Sequence, residues 1–203
     1  MSAREPDPGP SAVAGARPLR ADARRNRDRI LEAAALTFAE DGAGAQMDAI
    51  AVRAGVGVGT LYRHFPTKQV LLGEMVRRKF ALMVEHARAA LEQEGEPFAV
   101  FAGLLRANAE TMAADAATRD ALMHQGQEVW DAAAAERAEL LVLVAPLVER
   151  AKRAGTLRAD FEHADIPVLM CGVSATMGSG GPPGGDWRRH LEIVLDGLRA
   201  RPA

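Results

Sequence analysis

The residues that offer chemistry are concentrated between positions 47 and 68, MDAIAVRAGVGVGTLYRHFPTK, where Thr60, Tyr62, Arg63, His64 and Lys68 supply hydroxyl, phenol, guanidinium, imidazole and ammonium donors. Such donors suit phosphate oxygens and base edges. Signatures of catalysis are weaker. GVGVGT at 55–60 resembles part of a dinucleotide loop, but Thr60 replaces the last glycine and no strand pattern precedes it. GVSAT at 172–176 lacks the closing glycine of a nucleophile elbow, and Ser174 lies in an apolar helical stretch, so packing is its expected role. The glycine-rich 178–185 has no Lys-Ser or Lys-Thr. His124 and Glu128 stand at i and i+4, a spacing that can share a metal, but no third ligand accompanies them, and a pocket pair or a plain helix face is expected. The remaining histidines, His64, His86, His163 and His190, are scattered. No catalytic constellation emerges, and no metal, cofactor or enzymatic activity is assigned.

The elements that must position these donors are helices. The chain of 203 residues is 48% hydrophobic but only 4% aromatic, and 41 of its residues are alanine. The strongest helix former in such excess, with few aromatics, predicts an all-α protein. Residues 1–21, with four prolines in the first 18, read as a flexible basic tail. Structure is expected from Asp22, where Ile30, Leu31, Ala34, Ala35 and Phe38 recur at helical spacing and Gly42 supplies a stop. Short helices follow over 48–54 and 59–65, the first ended by Gly55 and the second by Pro66. Thr67 is placed to cap a long fourth helix, and the stretch from Glu92 to Pro97 marks its end. Beyond it the stripes predict helices over 98–112, 118–127, 130–154, 164–177 and 187–200, about nine in all. Pro146 predicts a kink, or an earlier break, in the seventh, and Pro167 suits the first turn of the eighth.

A helix-turn-helix needs a small residue where two short helices cross, a residue tolerant of positive φ in the turn, and apolar anchors on both sides. Ala51, Gly55 and the set Ile50, Val56 and Leu61 meet those needs in that order. With the surrounding Ala54, Gly59-Thr60-Leu61-Tyr62, His64-Phe65, Lys68 and Leu71, and with Ile30, Ala33, Phe38 and Gly42 before them, the segment from about 24 to 72 resembles the TetR/AcrR-type transcriptional regulators. The resemblance implies an N-terminal three-helix DNA-binding domain over 22–68 and a C-terminal ligand-binding and dimerisation domain over 69–203. It implies that the third helix enters the major groove, with Tyr62, His64 and Lys68 on phosphates and the helix start facing bases. Thr60 and Arg63 would then reach base edges, and Val58 a thymine methyl. Gly57 stands where many members have serine, and Gln46 or Met47 where threonine opens the second helix, so two hydroxyl contacts are missing. Gly59 completes the expected DNA-facing set, with Arg20 and Arg24 from the basic segment that also holds Arg17, Arg25, Arg27 and Arg29.

The net charge of −2 would by itself argue against a nucleic-acid partner. It averages two unlike parts. Residues 17–70 hold nine Lys or Arg against six Asp or Glu, net +3, which leaves 16 against 21, net −5, for the rest. A basic end beside a recognition helix fits a duplex. The single Cys171 implies a reducing compartment, and the apolar run 166–177 is shorter than the roughly 20 residues that span a bilayer, so a cytoplasmic protein without membrane contact is expected.

For the second domain, Phe101, Asn108, Met112, Met123, His124, Gln127, Trp130, Met170 and Cys171 are candidates for a mostly apolar ligand pocket. The last two helices carry apolar stripes wide enough to pair with a second copy. The reading is a homodimeric regulator on a palindromic double-stranded operator, more in keeping with a repressor, released by a small-molecule effector. The competing expectation is a small helical ligand-binding or catalytic protein that does not regulate transcription.

Overall fold

The computed structural model describes residues 16–115, 118–119, 127–177 and 185–200, with the side chains of 16–20 and of residue 43 outside the description. Among the described residues there are nine α-helices: α1 (Ala16–Asp41), α2 (Met47–Ala54), α3 (Val58–His64), α4 (Lys68–Glu92), α5 (Pro97–Ala113), α6 (Gln127–Asp131), α7 (Ala134–Arg153), α8 (Ile166–Ala175) and α9 (Trp187–Leu198). Their only β feature is an isolated bridge between Leu157 and Arg199. Most of the helix expected over 118–127 lies outside the described residues.

Helix α1 begins at Ala16, ahead of Asp22 and inside the segment expected to be a tail. Pro18 sits in its first turn, where the missing N–H costs no intrahelical bond, and the alanines that follow favour helix. The helix buries Ile30, Leu31, Ala34 and Phe38 and stops at Gly42, whose φ is 56°. Helix α2 ends in a Schellman turn: Gly55, with φ 61°, donates to Val52 O, and Val56 donates to Ala51 O at 3.1 Å. Ile50, Ala51, Leu61 and Phe65 are fully buried, so α2 packs on α1 and α3 on α2; of the expected anchors Ile50 and Leu61 are in the core, and Val56 is half-buried against it.

Thr67 caps α4 through a bond to its Oγ1 from Val70 N at 3.2 Å. This helix joins the two ends of the molecule, packing against α5, α6 and α7. Gly73 lies where a Cβ would come within 2.8 Å of the Ala132 side chain, so α4 can approach the α6–α7 turn this closely only with glycine there. Glu96 caps α5 with both carboxylate oxygens, accepting from Phe98 N and Ala99 N at 2.9 and 2.7 Å. The break in the predicted seventh helix falls at Ala132–Ala133. Helix α7 then runs continuously through Pro146, an exposed position next to the open side marked by Val142, where the unpaired carbonyl can meet water. Bidentate pairs from Arg106 to Glu192 and from Arg188 to Glu110 hold α9 on α5.

The joint between the N-terminal helices and the body is built on Glu74. Its side chain is 10% exposed and accepts from Arg77 at 2.9 Å, from Arg27 of α1 at 3.0 Å and from Arg78 at 3.4 Å. Arg77 continues to Glu136 of α7 at 2.8 Å, and Arg78 to Asp28 of α1. Burial alone would raise the Glu74 carboxyl, but hydrogen bonds from Arg77 and Arg27, with the charge of both, outweigh it and hold the carboxyl at about 2. A folded value below the unfolded one means that the stabilisation is complete above the unfolded range near pH 4.3 and fades as pH falls toward 2.

Glu74→Gln is therefore expected to lower unfolding free energy by about 3 kcal/mol near neutral pH, because Arg27 loses its counter-charge and Arg77 and Arg78 keep only Glu136 and Asp28. In urea titrations at about pH 7 and pH 3, the gap between wild type and variant should narrow at the lower value. A second comparison separates two glycines. Gly55→Ala forces a side chain into positive φ and brings a Cβ within 2.5 Å of Arg29 Nη2, for an expected loss of about 1–2 kcal/mol. Gly59→Ala, in open space inside α3, should be neutral or raise stability by up to about 1 kcal/mol in the same titration.

Candidate nucleic-acid interface and ligand cavity

Helix α3 presents one face to the core and the other outward. Leu61 and Phe65 anchor it, while Gly57, Val58, Gly59, Tyr62 and Arg63 are exposed and Thr60 and His64 are half-buried. Arg63 Nη2 donates to Thr60 Oγ1 at 3.2 Å, so the two expected base-reading side chains are held together. Tyr62 is 43% exposed beside them. Burial, then the neighbouring charges of Arg27 and Arg63, push the His64 imidazole below its ordinary value, so it meets a neighbour at neutral pH as an uncharged donor or acceptor. A Cβ at Gly59 would meet nothing within 4 Å. Glycine weakens a helix at that position, and nothing inside the molecule requires it; close approach of another molecule's backbone to α3 would.

Several expected contacts have internal partners. Lys68 Nζ donates to Ala45 O at 2.9 Å and lies 5.1 Å from the centre of the Phe38 ring, stapling the start of α4 to the connection between α1 and α2. Met47 is buried in the core, so its side chain does not reach a groove, because α2 turns that position toward α1. Gln46 is exposed just before it, with Nε2 on Gly44 O. The basic run on α1 is not one free patch. Arg25 pairs with Asp22, Arg27 with Glu74 while lying over the Phe65 ring, and Arg29 donates to Gly55 O at 3.2 Å. Arg24 remains exposed on the same helix, and Arg20 lies in its backbone with its side chain outside the description.

The body contains a cavity of about 200 Å³ enclosed by α4, α5, α6, α7 and α8. Of the residues proposed from sequence, Asn108, Met112, Trp130, Met170 and Cys171 line it. Phe101 does not: it packs at 6.3 Å from Phe98 and 5.9 Å from Phe161, one helical turn short of the cavity. Gln127 is exposed, with its amide on Asp131, and lies off the wall. Met123 and His124 fall outside the described residues. The sequence reading missed Phe80 and Met83 of α4, Leu140 and Arg137 of α7, and Arg119. The α4 residues continue the stripe that begins at Leu72 and Val76, which is the signal that was available for them. Asn108 Oδ1 lies 3.0 Å from His86 Nδ1, a contact in which the ring nitrogen donates. Among the described residues no three His, Cys, Asp or Glu cluster for a metal, and no helix is long and apolar enough to cross a membrane.

Residues 30–75 match the family described as bacterial regulatory proteins, tetR family, and residues 96–200 match the SbtR-like transcriptional regulator C-terminal domain. An HTH-type transcriptional regulator of Staphylococcus aureus (strain USA300) is 41% identical over 69 residues, 34% of this chain and 37% of that protein, so the match spans little more than a third of it. The crystal structure of a TetR transcription regulatory protein from Mycobacterium vanbaalenii is 41% identical, covers 90% of this chain and 100% of its own, and has a TM-score of 0.63. The transcriptional regulator FadR from Bacillus subtilis, solved in complex with stearoyl-CoA, has the same fold at 17% identity, with a TM-score of 0.67 over 83% of this chain and 95% of its own. The outward face of α3, the turn at Gly55 and these matches across both halves make this chain a member of the TetR family, a DNA-binding transcriptional regulator.

Proposed function

We propose that the protein is a homodimeric repressor whose operator affinity is lowered by a small molecule bound in the body. The observation that carries this reading is the pairing of an outward α3 face with an apolar cavity, both built on α4 and its neighbours. Thr60, Arg63 and Val58 read base edges, Tyr62 and His64 hold phosphates, and the α4 N-terminus faces the same backbone while Lys68 fixes it through Ala45 O. Gln46, Gly57 and Gly59 lie at the groove, and Arg20 and Arg24 lie along the adjoining phosphates.

Two copies are needed because one helix-turn-helix buries little surface. A two-fold pair would place recognition helices on half-sites about 34–36 Å apart, on a palindromic operator. The surface that supports pairing is on α8 and α9, where Val168 and Ile193 are 76% and 59% exposed. A cytoplasmic location follows from the DNA partner and the lone cysteine. The Bacillus subtilis regulator solved in complex with stearoyl-CoA is a case of this fold holding a ligand, which supports reading the cavity as a binding site. The ligand acts by binding one arrangement of α4 more tightly than the other, with a coupling of about 1–3 kcal/mol.

Gel-shift titrations against the upstream region of the protein's own gene test the assignment. Tyr62→Phe should weaken binding to every sequence by about three- to tenfold, the effect of one lost hydrogen bond. Arg63→Ala should instead relax preference at a single base position, by about 1–3 kcal/mol of discrimination. Equal binding by wild type and both variants would remove α3 from the interface. In sedimentation, Val168→Asp with Ile193→Asp is expected to convert a dimer to a monomer at micromolar concentration; a wild-type monomer would overturn the pairing.

A further inference from the structure

The charge pattern of the cavity wall indicates what it binds. Every arginine of α4 and α5 is bonded to a carboxylate: Arg77 and Arg78 to Glu74, Arg88 to Glu139 and Arg106 to Glu192. The two arginines in the cavity wall, Arg119 and Arg137, have no carboxylate partner among the described residues, and the described residues of the wall include no aspartate or glutamate. Arg137 is half-buried, its Cζ 4.6 Å from the centre of the Trp130 ring. Stacking occupies the face of its guanidinium and leaves the edge, which is the part that recognises a carboxylate. Among the described residues the Arg119 side chain makes only long bonds, from Nη1 to Met112 O and Ala113 O at 3.4 and 3.5 Å. A guanidinium in a mostly apolar wall, with no counter-charge among the described residues, loses hydration that an anion brought by a ligand restores.

The rest of the wall sets the body of that ligand. Trp130 and Phe80 stand 6.3 Å apart between centres, with Leu140 and Met112 beside them. The volume of about 200 Å³ is below the roughly 300–1,000 Å³ of sites for drug-sized molecules. We propose that the effector is a compact carboxylic acid with an aryl or branched-alkyl body, its carboxylate held by Arg137 and Arg119 and its body against Trp130 and Phe80. This deepens the reading of the cavity as the effector site and rests on it.

The test measures binding without DNA. In a Trp187→Phe background Trp130 is the single tryptophan, and its fluorescence reports cavity binding. The probes are phenylacetate, 4-phenylbutyrate and 3-methylbutyrate, each with its primary amide and the matching amine. At least one acid is expected to bind about tenfold or more tightly than its amide, with the amine weaker still. Arg137→Gln should bring the acid-to-amide ratio near one while leaving amide affinity unchanged, and Arg137→Lys should retain part of the preference. If the melting temperature shows that the glutamine variant does not fold, Arg119→Gln and the lysine variant carry the comparison. Acid-to-amide ratios near one for all three pairs in the wild type overturn the proposal. So does an undiminished ratio in the variants, or tighter binding of a coenzyme A thioester than of its free acid. Operator release is read separately. An acid that binds with the expected ratio but leaves the gel shift unchanged keeps the charge assignment and overturns the effector reading. Release by amides with no acid preference does the reverse.

Discussion

The Glu74 carboxylate is the constraint on which the arrangement of the molecule depends. A carboxylate this buried must be fully paired, and the groups that pair it come from different elements: Arg27 from α1, Arg77 and Arg78 from α4, and Glu136 of α7 through Arg77. Apolar contacts alone would let α4 slide or rotate against α1 at small cost, because hydrophobic burial is not directional. The directional bonds from Arg27 to Glu74 and from Arg78 to Asp28 restrict that freedom. The N-terminal helices and the body therefore share one register, although a single continuous core passes beneath both.

The helix-turn-helix uses the same device on a smaller scale. Its tight turn exposes carbonyls that a short helix cannot satisfy, and Arg29 of α1 reaches the Gly55 carbonyl while Lys68 reaches that of Ala45. These cations stabilise helix ends from outside their own helices. Basic residues that a sequence would assign to phosphates thus support the frame that aims α3. The outward donors left on α3 are Thr60, Tyr62 and Arg63, a compact set on a helix of seven residues.

What could be read from sequence was the local part. The stops at Gly42 and Gly55, the Thr67 cap and the anchors Ile50 and Leu61 follow from turn chemistry and helical period, which need no knowledge of the third dimension. The departures are tertiary. Phe101, Leu105, Asn108 and Met112 share one face of α5, and period alone cannot say that the cavity begins at the second of them, roughly 6 Å along the axis from the first. Met47 appears at a helix start, a position suited to a groove, until the packing of α2 on α1 buries it. Arg137 sits in an alanine-rich stretch as an ordinary surface residue would, and only the position of Trp130 turns it into part of a wall.

Position along the chain then links cavity and interface. Arg137 follows Glu136, and Glu136 holds Arg77 at 2.8 Å; Arg77 holds Glu74, which holds Arg27, whose guanidinium lies 4.8 Å from the centre of the Phe65 ring at the end of α3. On the proposed reading, a ligand that draws Arg137 inward turns α7 at Glu136 and loads each of these contacts in sequence. The outer pairs are partly exposed and screened, so each transmits little. The coupling expected of such a regulator is also small, about 1–3 kcal/mol, and an equilibrium poised between two α4 positions needs no more to change operator occupancy. A weak chain acting on a rigid, jointly held register is sufficient where a weak chain acting on a sliding helix would not be.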